Sequence, residues 1–312
     1  MLVATSYFGN RILRHVRADV QRLRDEGFDI VVHTFSENDL RFYQRTIRDI
    51  VEVTREAGMR VWIDPWGVGG VFGGEAFSDA ALHHQDWSQV AANGKRLPAC
   101  CPSNPGFQAF IHEWTDAAVE TGADAVFWDE PHFYSDKKEG TGCHCEFCTN
   151  AAERGKSAIG SFLADMCARV KSRGRQNVVC MLPPEPDRNR ALDWNEIAAL
   201  DGLTYLGSTP YWALRGEEPE KYVAFVAHEL MAVASRASVQ AHLWIQGFRI
   251  PAGREDEIRR SAIIAVESGV NVIAIWGMDA CEQMSFLSCE RPEVAWAAFL
   301  KAIAELRDRG QF

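Results

Sequence analysis

Eight short apolar runs, each followed by a stretch of helical or polar sequence, set the strongest limit on what this chain can fold into. The runs are Leu2–Phe8, Ile30–Phe35, Val61–Ile63, Ala125–Trp128, Val178–Leu182, Leu203–Leu206, Val239–Ile245 and Val272–Trp276. They are continuous and rich in Val and Ile, the pattern of strands buried on both faces of a parallel sheet. Between them apolar residues recur at helical spacing. Ile47, Ile50 and Thr54 precede Gly58, and Phe107, Phe110, Ile111 and Trp114 precede Gly122. Ile159, Phe162, Leu163, Met166 and Val170 lead to Gly174; Ile258, Ala262, Ala265 and Val266 lead to Gly269; Phe299, Ile303 and Leu306 close the chain. A glycine at a helix end followed at once by an apolar strand is the usual αβ connection. Eight such units in 312 residues predict one α/β domain over 1–312, a single (β/α)8 TIM barrel, rather than a doubly wound sheet.

Other classes find little support. No Gly-x-Gly-x-x-Gly follows the first strand and no Walker loop occurs, so a nucleotide site is not indicated. The net charge is −10 and no Lys/Arg block stands out, which argues against a nucleic-acid partner. No run is long enough to span a membrane, and Met1–Phe8 reads as a strand rather than a signal peptide. The nine cysteines, an odd number, predict thiols or metal ligands in a reducing compartment, hence a cytoplasmic protein. Assembly as a homo-oligomer is left open.

The chemistry lies at the strand ends. Strand three ends in Asp64-Pro65-Trp66, strand four in Asp129-Glu130-Pro131-His132, strand five in Pro183-Pro184-Glu185 and strand six in Thr209-Pro210-Tyr211-Trp212. Strand seven ends in Gln246, strand eight in Trp276-Gly277-Met278-Asp279, and strand two contributes His33 and Glu37. Barrel enzymes build their sites on this C-terminal face. Carboxylates interleaved with aromatics suit glycoside hydrolysis, which needs one carboxyl to protonate the leaving oxygen and a second as nucleophile or base. Glu130, Asp64 and Asp279 are the candidate catalytic carboxyls. Asp129, His33, Trp66, His132, Glu185, Tyr211, Gln246 and Trp276 are candidate substrate contacts, with Trp212 also expected at the cleft. Trp62, Trp128 and Trp244 lie inside strands and are expected in the core.

The segment Cys143-His144-Cys145-Glu146-Phe147-Cys148 has zinc spacing and needs a fourth ligand, for which Cys101 is the candidate and His144 the weaker one. Four thiolates leave no open position, so the Zn2+ would be structural. It would tie the cysteine-rich loop after strand four, about 131–150, to the loop after strand three. At these residues the chain resembles the catalytic barrel of the family 42 β-galactosidases and their clan of retaining glycoside hydrolases. The resemblance rests on Asp129-Glu130, on Cys143, Cys145 and Cys148, and on Cys101-Pro102-Ser103-Asn104-Pro105. It implies Glu130 as acid/base and the four cysteines as zinc ligands. Two departures bear on mechanism. Asp129 stands where the family has Asn, and strand seven ends in Gln246 where the family has its nucleophilic Glu. An inverting mechanism, with carboxyls about 6.5–9.5 Å apart to admit a water, therefore enters.

The expected function is a glycosidase acting on a small oligosaccharide or glycoside. A metal-dependent sugar isomerase or epimerase using His33, His132, Asp64 and Glu185, and a sugar-binding barrel without catalysis, are the other classes these residues admit.

Overall fold

The computed structural model describes residues 1–136, 140–149, 155–184 and 192–311. Eight strands form the barrel: β1 (Leu2–Tyr7), β2 (Ile30–Thr34), β3 (Arg60–Asp64), β4 (Ala125–Asp129), β5 (Gln176–Met181), β6 (Leu203–Ser208), β7 (Gln240–Gln246) and β8 (Val272–Trp276). Each pairs in parallel with its sequence neighbour, and β1 closes the ring on β8 through Leu2↔Val272 to Thr5↔Ile275. One helix of the outer layer follows each strand: α1 (Leu13–Glu26), α2 (Gln44–Glu56), α3 (Pro105–Glu120), α4 (Gly155–Ser172), α5 (Trp194–Ala198), α6 (Pro219–Ala237), α7 (Asp256–Glu267) and α8 (Pro292–Asp308).

Local chemistry sets these boundaries. The Asn104 side chain accepts from the Gly106 and Phe107 amides and Pro105 occupies the first turn, so α3 starts there. Gly58, Gly122, Gly174 and Gly269 all take positive φ at the turns back into strands. No helix among the described residues is long and apolar enough to cross a membrane.

Strand residues facing the helices form the larger core. Those facing inward form a second cluster, which includes Ala4, Val32, Trp62, Phe127, Cys180, Tyr205, Trp244 and Ala274. Its bulkiest members are aromatic. Trp62 packs on Phe127 at 6.0 Å and on Tyr205 at 5.2 Å, and Phe127 meets Trp244 edge-on at 5.4 Å. His242 also points inward, held neutral by burial that lowers its pKa to about 3. Gly207 makes room for that ring, since a Cβ there would lie 2.1 Å from it. The consequence is an aromatic plug closed to bulk solvent under the C-terminal mouth. Trp62, Trp128 and Trp244 all take the core positions expected of them, Trp128 on the helix-facing side against Trp114 and Phe72.

Candidate active site and metal centre

The two-residue period of a strand decides which end residues face the mouth. Counting on from Trp62, Phe127, Tyr205, Trp244 and Ala274, the inward positions are Asp64, Asp129, Thr209, Gln246 and Trp276. Asp64 has no solvent exposure, and neither carboxylate oxygen has a protein hydrogen-bond partner. Burial above the aromatic plug pushes its pKa well above the usual aspartate value, and the charges of Glu75 and Glu130 add to the push. Asp129 is buried beside it and is raised in the same sense, first by burial, then by Asp64, Glu130 and Glu75.

Glu130 is the partly exposed member of the strand-end cluster. Its φ is 38°, a left-handed backbone that few non-glycine residues adopt, and its amide donates to the Cys180 carbonyl at 2.9 Å. Strain of this kind concentrates at functional sites. Burial raises its pKa, but the Thr209 hydroxyl donates to Oε1, and the charges of His132 and Arg215 pull it back. All three carboxyls are thus raised, Asp64 and Asp129 well above the usual aspartate value, and Thr209, His132 and Arg215 oppose the rise at Glu130. Separated proton affinities within one carboxyl cluster are what acid and base roles require.

The loop after β3 completes the cluster. Glu75 is exposed there and accepts from Trp66 Nε1 at 3.1 Å. Its pKa is raised by the enclosing protein and by Glu130, against the opposing Trp66 bond. Gly73 and Gly74 let this loop lie close. A Cβ on Gly73 would come 2.6 Å from an Asp129 oxygen, and one on Gly74 would come 1.6 Å from the Trp66 ring. Aromatic side chains line the mouth: Phe8 stacks on Trp66 at 5.4 Å and tilts against Trp276 at 5.7 Å, while Tyr211 meets Phe248 edge-on at 5.0 Å. The Tyr211 hydroxyl is held neutral by burial, then by Glu130 and Asp129.

Several expected contacts lie elsewhere. His33 has the opposite parity to Thr34 and faces the helices, with Nε2 2.9 Å from the Thr54 hydroxyl of α2 and its pKa lowered to about 3 by burial. Asp279 is clamped by both Arg22 nitrogens of α1, at 2.8 and 2.7 Å. Gln246 faces inward, but its amide accepts from Ala213 N and donates to Phe248 O, both at 3.0 Å, so it braces two loops. Trp212 is fully buried and donates to Glu257 of α7 at 2.9 Å. His132 lies beside the cluster with its Nδ1 donating to the Glu130 carbonyl at 2.6 Å. Glu185 lies outside the described residues. The histidine–carboxylate metal set expected for an isomerase is thus not assembled among the described residues, because His33 faces away. Sequence reasoning did not single out Phe8, Glu75 or Phe248. Phe8 and Phe248 continue the inward parity of β1 and β7 and were findable, whereas Glu75 sits in a loop with no period to mark it.

Beside the mouth, the sulfur atoms of Cys101, Cys143, Cys145 and Cys148 lie within 4.8 Å of one another, a group that could hold a metal ion. Cys101 Sγ is 3.4 Å from Cys148 Sγ and 3.5 Å from Cys145 Sγ. Tetrahedral Zn–S bonds of about 2.3 Å place sulfurs roughly 3.8 Å apart, so the donor set fits in number, kind and spacing. The Val90 amide donates to Cys143 Sγ at 3.3 Å and the His144 amide to the Val90 carbonyl at 2.7 Å. These contacts dock the loop after β4 on the hairpin Ser88–Val90/Arg96–Cys100 of the loop after β3. His144 is not among the gathered ligands.

No family model matches the sequence, and no curated protein matches it. Solved structures match the fold. The endo-1,4-β-mannanase of Rhizomucor miehei superposes with a TM-score of 0.68 at 11% identity, over 97% of this chain and 95% of that one. The β-amylase catalytic domain of Paenibacillus polymyxa gives 0.63 at 11% identity, over 96% and 98%. The D-psicose 3-epimerase of Clostridium cellulolyticum H10, solved with D-tagatose, gives 0.55 at 10% identity, over 99% of both chains. The chain is a (β/α)8 barrel whose structural neighbours include glycoside hydrolases and sugar epimerases. At such identities the likeness is one of fold.

Proposed function

We propose that this barrel is a glycoside hydrolase acting on a short glycoside, with Glu130 and the Asp64–Asp129 pair as its acid–base machinery. The observation that carries the reading is a carboxyl cluster at the C-terminal mouth, flanked by aromatic faces, in which burial raises the pKa of Asp64, Asp129 and Glu130 and Thr209, His132 and Arg215 oppose the rise at Glu130. In this assignment the aspartates hold the proton for the leaving oxygen. Glu130 acts in its ionised form, against water or the anomeric carbon. This exchanges the roles that the sequence suggests for Glu130 and Asp64. With the amide of Gln246 where a strand-seven nucleophile would stand, the inverting route with Glu130 activating water is favoured. Turnover of a panel of aryl glycosides and short oligosaccharides, with the anomer followed by NMR, tests the reading. Sugar binding without turnover of any of them would leave a binding barrel instead.

Thr209→Val is expected to raise the pKa of Glu130, because it removes a donor to the carboxylate. The limb of the pH–rate profile governed by Glu130 should move to higher pH, and Thr209→Ser should restore it. An unmoved limb would take Glu130 out of that limb.

The cysteine centre is assigned as a structural Zn2+ site. One zinc per chain is expected by elemental analysis, retained through dialysis against a mild chelator. Cys101→Ser should weaken metal retention by more than the roughly 10–100-fold that loss of an outer-shell partner costs. It should also lower Tm by freeing the loop after β4. Unchanged metal content would show that Cys101 is not a ligand.

A further inference from the structure

We propose that Glu37 is a positioning residue of the mouth: from the loop after β2 it fixes the loop after β3 so that Gly73 lies against Asp129 and Glu130. Glu37 follows a strand end, yet it takes no part in the chemistry assigned above. The proposal deepens the glycosidase reading, and its bearing on catalysis rests on that reading.

Glu37 opens the short helix Glu37–Phe42 and is 6% exposed. Both of its carboxylate oxygens are engaged, and all three donors come from the loop after β3. Oε1 accepts from the Gly69 amide at 2.8 Å and from the Ser78 hydroxyl at 2.7 Å, and Oε2 accepts from the Ala80 amide at 2.7 Å. One side chain thus ties together the two ends of the stretch 69–80. Its removal would strand two buried amides, which is costly. The seat of Glu37 is itself braced. Ser36 and Asp39 cap the helix reciprocally, and Arg11 clamps both Asp39 oxygens at 2.7 Å.

The stretch held in this way reaches the carboxyl cluster. The Gly67 amide donates to the Gly73 carbonyl at 2.8 Å, and the Gly73 amide donates to the Asp129 carbonyl at 3.0 Å. The His132 amide donates to the Val71 carbonyl at 2.9 Å. Gly67, Gly69 and Gly70 take φ of 72°, 65° and 63°, so this backbone has little stiffness of its own and needs outside anchors. Phe72 pins its middle on Trp128 and Phe162, and loss of the Glu37 bonds would loosen the loop rather than detach it. Asp64 has no exposure and Asp129 6%. The placement of this loop helps decide how closed the cluster is.

The test needs no turnover. Amide hydrogen exchange of the whole protein, read by mass spectrometry, is compared among wild type, Glu37→Gln and Ser78→Ala. Gln keeps the size and one acceptor oxygen but loses the second. Ala at position 78 removes one bond and leaves Glu37 in place, and it carries both measurements if Glu37→Gln does not fold. Peptides covering 65–80 should exchange about tenfold faster in Glu37→Gln, as expected for loss of a hydrogen bond to a charged group. Ser78→Ala should show a smaller increase, and peptides from β5 to β7 should match wild type in both. Asp64→Asn is then added to each background and Tm is read at neutral pH. Its gain in Tm should be smaller by about 2 °C or more beside Glu37→Gln, because Asp64 is less enclosed there. A residue that only packs locally would give additive changes. Unchanged exchange over 65–80, or additive Tm changes, overturns the proposal. A loosened loop coupled to Asp64 without hydrolysis of any glycoside would fault the glycosidase reading alone; hydrolysis with additive changes would fault the Glu37 assignment alone.

Discussion

Glu130→Gln is expected to lower kcat/KM on any glycoside the protein turns over by about 10²–10⁴-fold, the usual contribution of one positioned proton-transfer group. The substitution keeps size and hydrogen-bonding reach but removes the charge. The protein should remain folded, because Glu130 is partly exposed and its backbone amide still donates to the Cys180 carbonyl at 2.9 Å. The pattern of loss carries the role. If Glu130 works as the ionised partner, glycosides with dinitrophenyl leaving groups, which need no protonation, lose as much as poorer ones. A small anion such as azide, which can take the place of the missing carboxylate or its water, should then restore turnover. Selective survival of the dinitrophenyl substrates would return the acid role to Glu130 and overturn the division of labour argued from Thr209, His132 and Arg215. Undiminished turnover on all substrates would remove Glu130 from the chemistry.

The barrel was legible because burial on both faces leaves a strand mostly apolar. All eight apolar runs coincide with barrel strands to within a few residues at each end. Side-chain direction was legible only where the strand period was applied. His33 and Thr34 are adjacent, yet one faces α2 and the other the interior, so the choice of His33 as a mouth residue fails on parity. Asp279 fails for another reason. It follows Gly277, and Asp279, Ala280 and Cys281 take φ of 54°, 50° and 58°, a left-handed run that no residue type there announces. That turn delivers the carboxylate to Arg22. Gln246 has the right parity, but two backbone groups from other loops capture its amide, a tertiary contact that no local pattern reveals.

The cysteines show the opposite balance. Their spacing in Cys143-His144-Cys145-Glu146-Phe147-Cys148 already restricts the ligand geometry, and the loop after β3 needed only to bring Cys101 within reach. Tryptophans inside strands were legible as core but not as a plug. That depended on Trp62, Phe127, Tyr205 and Trp244 sharing the inward parity of their strands. The plug links fold to chemistry, since it helps bury Asp64 and Asp129 away from bulk solvent and so raises their proton affinity.

Asp64→Asn should therefore make the protein more stable and less active, and the gain should depend on pH in a defined sense. The folded-state pKa of Asp64 is raised. Below the unfolded value of about 3.9 both states are protonated and Asp64 carries no ionisation penalty. As pH rises past that value the unfolded chain releases a proton that the folded chain keeps. Stability then falls by about 1.4 kcal/mol per pH unit for each such proton, until the folded pKa is reached. Asn cannot titrate, so the stability difference between variant and wild type should be smallest near pH 4 and widen upward, at roughly 2–4 °C of Tm per kcal/mol. Asp129, Glu75 and Glu130 remain in the variant, and with one carboxyl fewer to oppose them their own elevation should ease, adding to the gain. Cys180 and Tyr211 face the same cluster but start neutral and are pushed further from ionisation, so they leave this window unchanged. Thermal melts of both proteins across the acid-to-neutral range measure the difference directly. A gap constant with pH would mean that Asp64 is not the group holding the proton, and the acid role assigned to the aspartates would fail with it.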